Sequence, residues 1–321
     1  MNFGVVGTSF IMDTILYNMH KTGEMNIKCI YSNSPSRAKG LMEQYNIPIL
    51  FDNYSNMCSY NDIDWIYICS PNSLHYSQAK EALLAGKNVL LEKPSTVHVS
   101  ELKELIDIAK SKHLFLFEAI IPMFHPNLPI IKENISKLGK LKLGIGTFLQ
   151  YSSRYETLLK GDVPNVFNPK FAGGALMDLN LYNIYFYCSL FGKPDLVTYN
   201  PHIYSNGIDT NGIATLTFGD LKCECIAAKD ASGDNSAQII GENGYIKVTP
   251  CASNLKKVEI FIKGQEPIVH EACNNPWFYE MSGLIDIVKR NDYNECYKRL
   301  ETALYVCDVL EKGRLDGGLN F

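Results

Sequence analysis

Residues 2–9 (NFGVVGTS) decide the fold of the N-terminal part of this chain. The apolar run predicts a short buried strand, and Gly7 ends it in a turn. Residues 10–21 then show the pattern of a helix that stops before Gly23. A strand, a glycine turn and a helix in this order are typical of a dinucleotide site, where helix N-terminal amides face a pyrophosphate. The same pattern occurs in proteins that bind no nucleotide, so its sequence context has to decide.

The first 119 residues repeat this alternation. Further strands are predicted at residues 27–32, 64–70, 88–91 and 114–117, and further helices at residues 35–45, 74–85 and 99–112. Strands that alternate with helices of about 10 to 15 residues form parallel βαβ units in a sheet covered by helices on both faces. We therefore predict an α/β protein whose residues 1–119 form a doubly wound Rossmann domain that binds NAD or NADP.

The pattern changes after residue 120. A strand at residues 141–151 is followed by a long loop and a helix at 173–191, then by consecutive strand-like runs between residues 197 and 263. Two helices, at residues 277–290 and 293–312, end the chain. Short turns between strands predict an antiparallel meander with one face available to a partner. Residues 120–321 are thus predicted to form a substrate-binding α+β domain on a large open, mostly antiparallel sheet, which assembles a homodimer or homotetramer.

Composition excludes several kinds of partner. The chain has 30 basic and 34 acidic residues, a net charge of −4, which argues against nucleic-acid binding and a polybasic membrane anchor. No apolar run reaches the roughly 20 residues of a membrane span. Met1 leads directly into a strand without a signal peptide, so we expect a cytoplasmic protein. The 10 cysteines are scattered without a Cys-x-x-Cys motif, which predicts reduced thiols and no metal site.

Two segments are candidates for binding the phosphates of the cofactor. In the glycine turn they are Gly4, Gly7, Thr8, Ser9 and Phe10. At the end of the second strand, Ser32, Asn33 and Arg37 stand where an NAD site usually has an acidic residue. Hydroxyl, amide and guanidinium groups can accept a 2′-phosphate, so NADP is favoured over NAD. Arg37 is also compatible with an ordinary solvated helix face.

Polar residues also follow the third and fourth long strands. In an open parallel sheet, ligands bind beyond the carboxyl ends of the strands. Ser70, Pro71, Asn72 and His75 come after one of these strands, and Glu92 and Lys93 end the other. A lysine there can donate a hydrogen bond to a substrate oxygen during hydride transfer. Pro94 restricts the direction of Lys93, and we hypothesise a cis peptide bond between them. For His75, a capping or packing role is favoured over a catalytic one.

Taken together, these motifs resemble the glucose-fructose oxidoreductase, inositol dehydrogenase and rhizopine catabolism (Gfo/Idh/MocA) family, most closely its dihydrodiol dehydrogenase-like branch. The resemblance rests on Gly-Val-Val-Gly-Thr, Ser-Pro-Asn-x-x-His, Glu92-Lys93-Pro94, Glu118-Ala119 and Gly173-Gly174-Ala-x-x-Asp178 followed by Tyr182, in that order along nearly the whole chain. It implies a Rossmann domain, a second domain with a large open sheet, and NAD(P)-dependent oxidation or reduction of sugars, cyclic polyols or related compounds.

The resemblance also implies roles for three residues. Lys93 matches the catalytic lysine of the family, and Asp178 and Tyr182 match its second-domain site positions. We expect Tyr182 to exchange a proton with the substrate, Lys93 to orient and polarise it, and Asp178 to hold the substrate or tune the lysine. Tyr182 lies in a Tyr-rich stretch, so a core role is the alternative.

The chain departs from the family pattern at Asn33, which replaces an arginine often present in NADP-preferring relatives, and at two positions near Tyr182. Asn180 replaces a glycine and Asn183 a proline, which bears on the pocket around Tyr182. Arg154 and Tyr155 fit either a lid or a solvated loop. A catalytically silent NAD(P)-binding sensor is the alternative function. The combination of Lys93, Asp178 and Tyr182 favours an enzyme.

Overall fold

Strand β1 (Asn2–Val6) lies inside a six-stranded parallel sheet in the computed structural model, which describes residues 1–273 and 275–321. The strand order is β3-β2-β1-β4-β5-β6. The other strands are β2 (Asn26–Tyr31), β3 (Ile49–Phe51), β4 (Trp65–Ile68), β5 (Asn88–Glu92) and β6 (Leu116–Ala119). All five neighbouring pairs are parallel. The order reverses between β1 and β4, which opens a crevice at the carboxyl edge of the sheet.

Helices connect these strands as the sequence predicts. They are α1 (Phe10–Lys21), α2 (Pro35–Tyr45), α3 (Tyr54–Cys58), α4 (His75–Leu84) and α5 (Val99–Ser111). The predicted doubly wound α/β fold is confirmed. The sequence analysis missed β3 and α3, because such short elements show no complete period of apolar residues.

A C-terminal segment belongs to the same compact unit. This first unit comprises Met1–Ile120 and Trp277–Glu301, and the second comprises Ile121–Pro276 and Thr302–Phe321. The segment includes most of α9 (Pro276–Lys289) and the start of α10 (Tyr293–Asp316). Tyr293 stacks on Phe115 at 4.1 Å between ring centroids, and Cys296 Sγ lies 3.2 Å from the carbonyl oxygen of Leu116. Sequence alternation shows the break after residue 119 but carries no signal for this long-range packing.

An eight-stranded sheet forms most of the second unit. Its order is β14-β13-β12-β11-β7-β10-β9-β8. The strands are β7 (Leu141–Leu149), β8 (Leu196–Ile203), β9 (Asp209–Phe218), β10 (Leu221–Ala228), β11 (Ser236–Gly241), β12 (Gly244–Thr249), β13 (Lys257–Ile262) and β14 (Ile268–Glu271). The sheet is mostly antiparallel, as predicted. An uninterrupted meander was the wrong topology, because β7 lies between β11 and β10 and pairs in parallel with β10.

Two glycines of β7 seat helix α8 (Leu181–Phe191) on this sheet. A Cβ atom at Gly144 would lie 2.7 Å from the ring of Tyr187, and one at Gly146 would lie 3.0 Å from the amide of Asn183. The predicted loop before α8 contains α7 (Tyr155–Leu159), and α6 (Asn127–Asn134) precedes β7. Within the described ranges, no helix has both the length and the apolarity that crossing a membrane requires.

Candidate active site

The turn after β1 needs a glycine at residue 7. Gly7 has a φ angle of +101°, and a Cβ atom there would lie 2.5 Å from the carbonyl oxygen of Cys69. Its N–H donates to the carbonyl oxygen of Tyr31 at 3.0 Å. The turn therefore packs against the ends of β2 and β4, and any side chain would push them apart. Gly4 lies inside β1, where a Cβ atom would contact Ile63, Cys29 and Met57, so packing accounts for that glycine.

Helix α1 begins directly after this turn. Ser9 is its N-cap residue and makes no capping bond through its side chain within the described structure; its Oγ atom lies 3.1 Å from Cys69 Sγ. Thr8 is half-buried, whereas the Phe10 side chain is 81% exposed. Backbone amides of the first helical turn have no partner within the helix and form an anion site. The glycine cradle and this helix end fit the pyrophosphate of a dinucleotide.

The end of β2 has no carboxylate. Ser32 is buried, and its hydroxyl accepts a hydrogen bond from the N–H of Ser34 at 3.0 Å, so it shapes the turn. Asn33 is exposed and accepts a hydrogen bond from the Tyr31 hydroxyl at 2.8 Å. Arg37 is exposed in the first turn of α2. Asn33 and Arg37 are therefore both accessible at this strand end.

The segment after β4 is tied to the segment after β5. Pro71 and Asn72 are half-buried, and the Ser70 hydroxyl donates to Gln78 Oε1 at 2.6 Å. The buried His75 ring lies between two main-chain carbonyls: Nε2 is 2.9 Å from the oxygen of Ser70, and Nδ1 is 2.8 Å from that of Pro94. His75 therefore cross-links two segments that carry predicted cofactor residues.

Glu92 and Lys93 end β5 at the carboxyl edge of the sheet. The Tyr67 hydroxyl donates to Glu92 Oε1 at 2.6 Å, and the N–H of Lys93 lies 3.2 Å from Glu92 Oε2. The Lys93–Pro94 peptide bond is cis, as hypothesised. The Glu118 carboxylate accepts a hydrogen bond from the N–H of Ser95 at 2.8 Å. Two carboxylates thus hold the backbone on either side of Pro94, and Lys93, beside the first of them, is half-buried.

Another carboxyl group of the first unit is close to these two. Glu280 of α9 is buried, and its Oε1 atom has no hydrogen-bond partner among the described residues. Burial, followed by the negative charges of Glu92 and Glu118, raises the pKa of Glu280 well above its usual value. The sequence analysis did not single it out, because a lone glutamate in a helix gives no signal of burial.

The Gly173-Gly174 motif of the second unit precedes a change in helix type. A Cβ atom at Gly173 would lie 2.5 Å from the carbonyl oxygen of Val166, and Gly174 has a φ angle of +99°. A π-helical turn (Leu176–Asn180) follows and leads into α8. The predicted helix therefore begins later than residue 173 and is not uniformly α-helical. Such π turns are frequently found at functional sites.

The buried Asp209 caps this π turn. Its Oδ2 atom accepts hydrogen bonds from the Leu176 N–H and the Tyr199 hydroxyl, both at 2.6 Å. Burial raises the pKa of Asp209, while these bonds and the charge of Lys229 oppose the rise. A side chain at position 174 would collide with the same carboxylate. Asp209 thereby fixes the backbone that carries Asp178.

Asp178 forms an ion pair with Lys229, which follows β10. Sequence analysis missed this lysine. Lys229 nonetheless follows the same sequence pattern as Lys93, a strand with apolar residues followed by a charged residue. Tyr182, four residues after Asp178, is half-buried, and its ring centroid lies 5.8 Å from that of Phe148.

The two asparagines that depart from the family pattern face the sheet. The amide of Asn180 donates to the carbonyl oxygen of Cys225 at 2.8 Å, and that of Asn183 donates to Asn180 Oδ1 at 3.1 Å. Both side chains are buried. They therefore join α8 to β10.

Tyr155 packs against Phe167 at 5.7 Å between centroids, which assigns it a packing contact, while Arg154 is exposed.

A doubly wound sheet with a glycine cradle and a lysine at its carboxyl edge defines a class, the nicotinamide-dependent oxidoreductases. Residues 1–119 match the model of an oxidoreductase family with an NAD-binding Rossmann fold, and residues 135–247 match the GFO/IDH/MocA C-terminal domain. The chain belongs to the GFO/IDH/MocA oxidoreductase family, as predicted, and its dependence on NAD or NADP is confirmed with it.

Relatives match over the full length. The chain is 30% identical over 321 residues to scyllo-inositol 2-dehydrogenase (NADP(+)) IolU of Bacillus subtilis, covering 99% of this chain and 98% of that protein. It is 24% identical over 338 residues to human trans-1,2-dihydrobenzene-1,2-diol dehydrogenase, covering 100% and 98%. Among solved structures, a 3-ketoreductase from Actinomadura kijaniata with NADP and TDP-benzene has the same fold, with a TM-score of 0.87, 20% identity and coverage of 98% and 97%.

Proposed function

We propose that this protein is a cytoplasmic NADP-dependent dehydrogenase or reductase that acts on a neutral cyclic polyol or sugar. The observation that carries the proposal is its full-length likeness to an NADP-dependent scyllo-inositol dehydrogenase. The end of β2 supports NADP over NAD, because Asn33 and Arg37 are accessible there and no carboxylate opposes a 2′-phosphate.

The cofactor, when bound, supplies or accepts the hydride. In our proposal Gly7, Thr8, Ser9 and Phe10 line its pyrophosphate side, and the segments held by His75 and Glu92 line its nicotinamide side. Lys93 donates a hydrogen bond to the reacting oxygen and stabilises negative charge on it. Tyr182 gives or takes the proton of that oxygen. Asp178 accepts hydrogen bonds from neighbouring hydroxyl groups of the substrate.

We also propose that the second unit forms a homodimer or homotetramer through its eight-stranded sheet. Leu143 of β7 and Ile213 of β9 are exposed, and Tyr245 stacks on Phe261 at 4.5 Å between centroids. Exposed apolar side chains on an open sheet support an interface. Light scattering coupled to gel filtration measures the mass, and a monomer at micromolar concentration contradicts the assembly.

A substrate panel tests the activity. Purified protein is mixed with NADP⁺ or NAD⁺ and with scyllo-inositol, myo-inositol or simple aldoses, and with NADPH and the matching ketones, while NADPH absorbance is followed. We expect turnover with at least one cyclic polyol or its ketone and a preference for NADP. The Lys93→Met variant should bind NADPH and lose turnover. Lys103 is exposed on α5, so Lys103→Met should behave as wild type. NADPH binding without turnover across the panel favours a sensor.

A further inference from the structure

Lys229 is a buried cation that none of the assigned roles uses. Its side chain is 4% exposed. Its backbone is held on both sides, because its N–H donates to the carbonyl oxygen of Thr210 and its own carbonyl accepts from the N–H of Ser152, both at 2.8 Å. A buried ammonium is costly unless it is paired. Its partners therefore indicate what it is for.

Two side chains contact the ammonium. Asp178 accepts its hydrogen bond, and the ring centroid of Phe167 lies 5.6 Å from Nζ, a cation–π distance. Phe167 belongs to a buried cluster with Leu158 and Ile208. The ammonium thus contacts an apolar cluster through Phe167. Its charge also opposes the effect of burial on the pKa of Asp209, which caps the same π turn.

The pair has one buried and one accessible end. The Asp178 side chain is 31% exposed, against 4% for Lys229. An ion pair that served stability alone has no need to leave its carboxylate accessible in a π turn beside Tyr182. A carboxylate can only accept hydrogen bonds, so the accessible end suits the hydroxyl groups of a substrate and repels anionic groups.

We propose that Lys229 is a positioning residue of the substrate site, where its ammonium holds the Asp178 carboxylate in the orientation that accepts hydrogen bonds from hydroxyl groups of a neutral polyol or sugar. This inference rests on the proposed function. It assigns selectivity for uncharged polyhydroxylated substrates over carboxylated or phosphorylated ones to the pair of Lys229 and Asp178.

A double-mutant cycle tests the proposal. Lys229→Met, Asp178→Asn and the double variant are compared in kcat, KM for the best polyol of the panel, NADPH affinity and thermal unfolding midpoint. We expect Lys229→Met to raise KM about tenfold or more, the worth of a lost charge-assisted hydrogen bond, with NADPH affinity unchanged. The double variant should be no worse than the worse single variant. Lys222→Met, an exposed lysine of β10, is the matched control.

Selectivity provides a readout that a structural role would not change. In the wild type, removing one hydroxyl from the polyol should raise KM. The ratio of the KM for the polyol without that hydroxyl to the KM for the intact polyol should be smaller in Lys229→Met. Lys229→Arg, which keeps the charge, should recover part of the ratio. If Lys229→Met does not fold, the same KM ratio is measured in Lys229→Arg and in the double variant, which buries no unpaired charge. A KM ratio in the double variant equal to that of the wild type contradicts the proposal.

The outcomes separate two failures. A lowered unfolding midpoint with unchanged KM and unchanged selectivity in Lys229→Met shows a purely structural pair and overturns this inference alone. Wild-type protein that binds NADPH but turns over no polyol or ketone overturns the proposed function and this inference together.

Discussion

The Nδ1 atom of His75 lies 2.8 Å from the carbonyl oxygen of Pro94, while its Nε2 atom lies 2.9 Å from that of Ser70. A neutral imidazole carries one N–H, so only one of the two contacts is a hydrogen bond when the ring is neutral. Burial lowers the pKa of His75 and the charge of Lys93 lowers it further, while the carbonyls of Pro94 and Ser70 oppose this, because the charged ring can donate to both. At neutral pH the ring is therefore uncharged and joins the two segments through one bond.

His75→Gln should weaken both NADPH binding and stability. Loss of a buried hydrogen bond and of ring packing should cost about 1 to 3 kcal/mol in the free energy of unfolding. NADPH fluorescence titration and urea unfolding measure the two effects. His20→Gln, at an exposed position of α1, is the control and should change neither.

The pH dependence of stability has a defined sign at His75. Its pKa in the folded state lies below the value of 6.5 expected in the unfolded chain, so the unfolded chain binds more protons. The free energy of unfolding should therefore fall as the pH drops below about 6.5, and this part of the fall should be absent in His75→Gln. An equal fall in the free energy of unfolding of the wild type and of His75→Gln between neutral and mildly acidic pH would contradict this role of His75.

Tyr182→Phe should retain NADPH binding and lose about a hundredfold or more in turnover, the usual contribution of an acid–base group. Tyr187→Phe is a matched control, since the Tyr187 hydroxyl is buried and donates to the carbonyl oxygen of Gln238 at 3.0 Å. That change should lower stability by about 1 kcal/mol and leave turnover intact. Unchanged turnover in Tyr182→Phe removes Tyr182 from the mechanism.

Arg37→Ala should weaken NADP binding about tenfold, because a charge-assisted bond to the 2′-phosphate is lost. The affinity for NAD, which lacks that phosphate, should stay the same. Lys39→Ala, also exposed on α2, controls for general charge. Titrations with both cofactors give the ratio of affinities, and an equal loss for NAD and NADP would argue against a phosphate contact.

Gly7→Ala should destabilise the first unit and abolish tight cofactor binding. The left-handed backbone costs about 1 to 2 kcal/mol for a residue with a side chain, and the contact of 2.5 Å with the carbonyl of Cys69 adds to it. Gly23→Ala provides the comparison, since Gly23 has a φ of +69° and an alanine methyl group there would meet nothing within 4 Å. Thermal unfolding should show a larger loss for Gly7→Ala, and equal losses would contradict the steric argument.

Glu280→Gln should stabilise the protein at alkaline pH. The folded-state pKa of Glu280 is raised above the usual 4.5 by burial and by Glu92 and Glu118, so its contribution to stability is lost as the pH rises above that value. An amide of the same shape carries no charge at any of these pH values. Urea unfolding at pH about 8 should show a higher free energy of unfolding for Glu280→Gln than for the wild type. Glu301→Gln, at an exposed position, is the control and should not change the free energy of unfolding.

The elements of the first sheet were predictable because their signals are local. Strand β1, the glycine turn and helix α1 follow one another within 21 residues, and each carries its own apolar period or turn residue. Strand β7 shows the opposite case. Its sequence predicts a strand, but its place between β11 and β10 depends on partners about 80 to 90 residues further along.

The candidate site divides in the same way. The position of Lys93 directly after β5 was predictable, since Glu-Lys-Pro at the end of an apolar strand is a local pattern and parallel strands end at one edge. The pairing of Lys229 with Asp178 was not predictable, because Asp178 lies 51 residues earlier in the chain. The directions of Asn180 and Asn183 toward β10 were equally hidden, because a π turn alters the angular spacing of side chains.

The sequence by itself determined the doubly wound domain, its glycine cradle, the family and the lysine at the strand end, because short-range periodicity and steric demand encode each of them. Only the tertiary structure decided the parallel entry of β7, the return of α9 to the first sheet and the pairing of Asp178 with Lys229. These features depend on burial and on contacts between distant segments, and the free energy of such contacts exists only once the chain has folded.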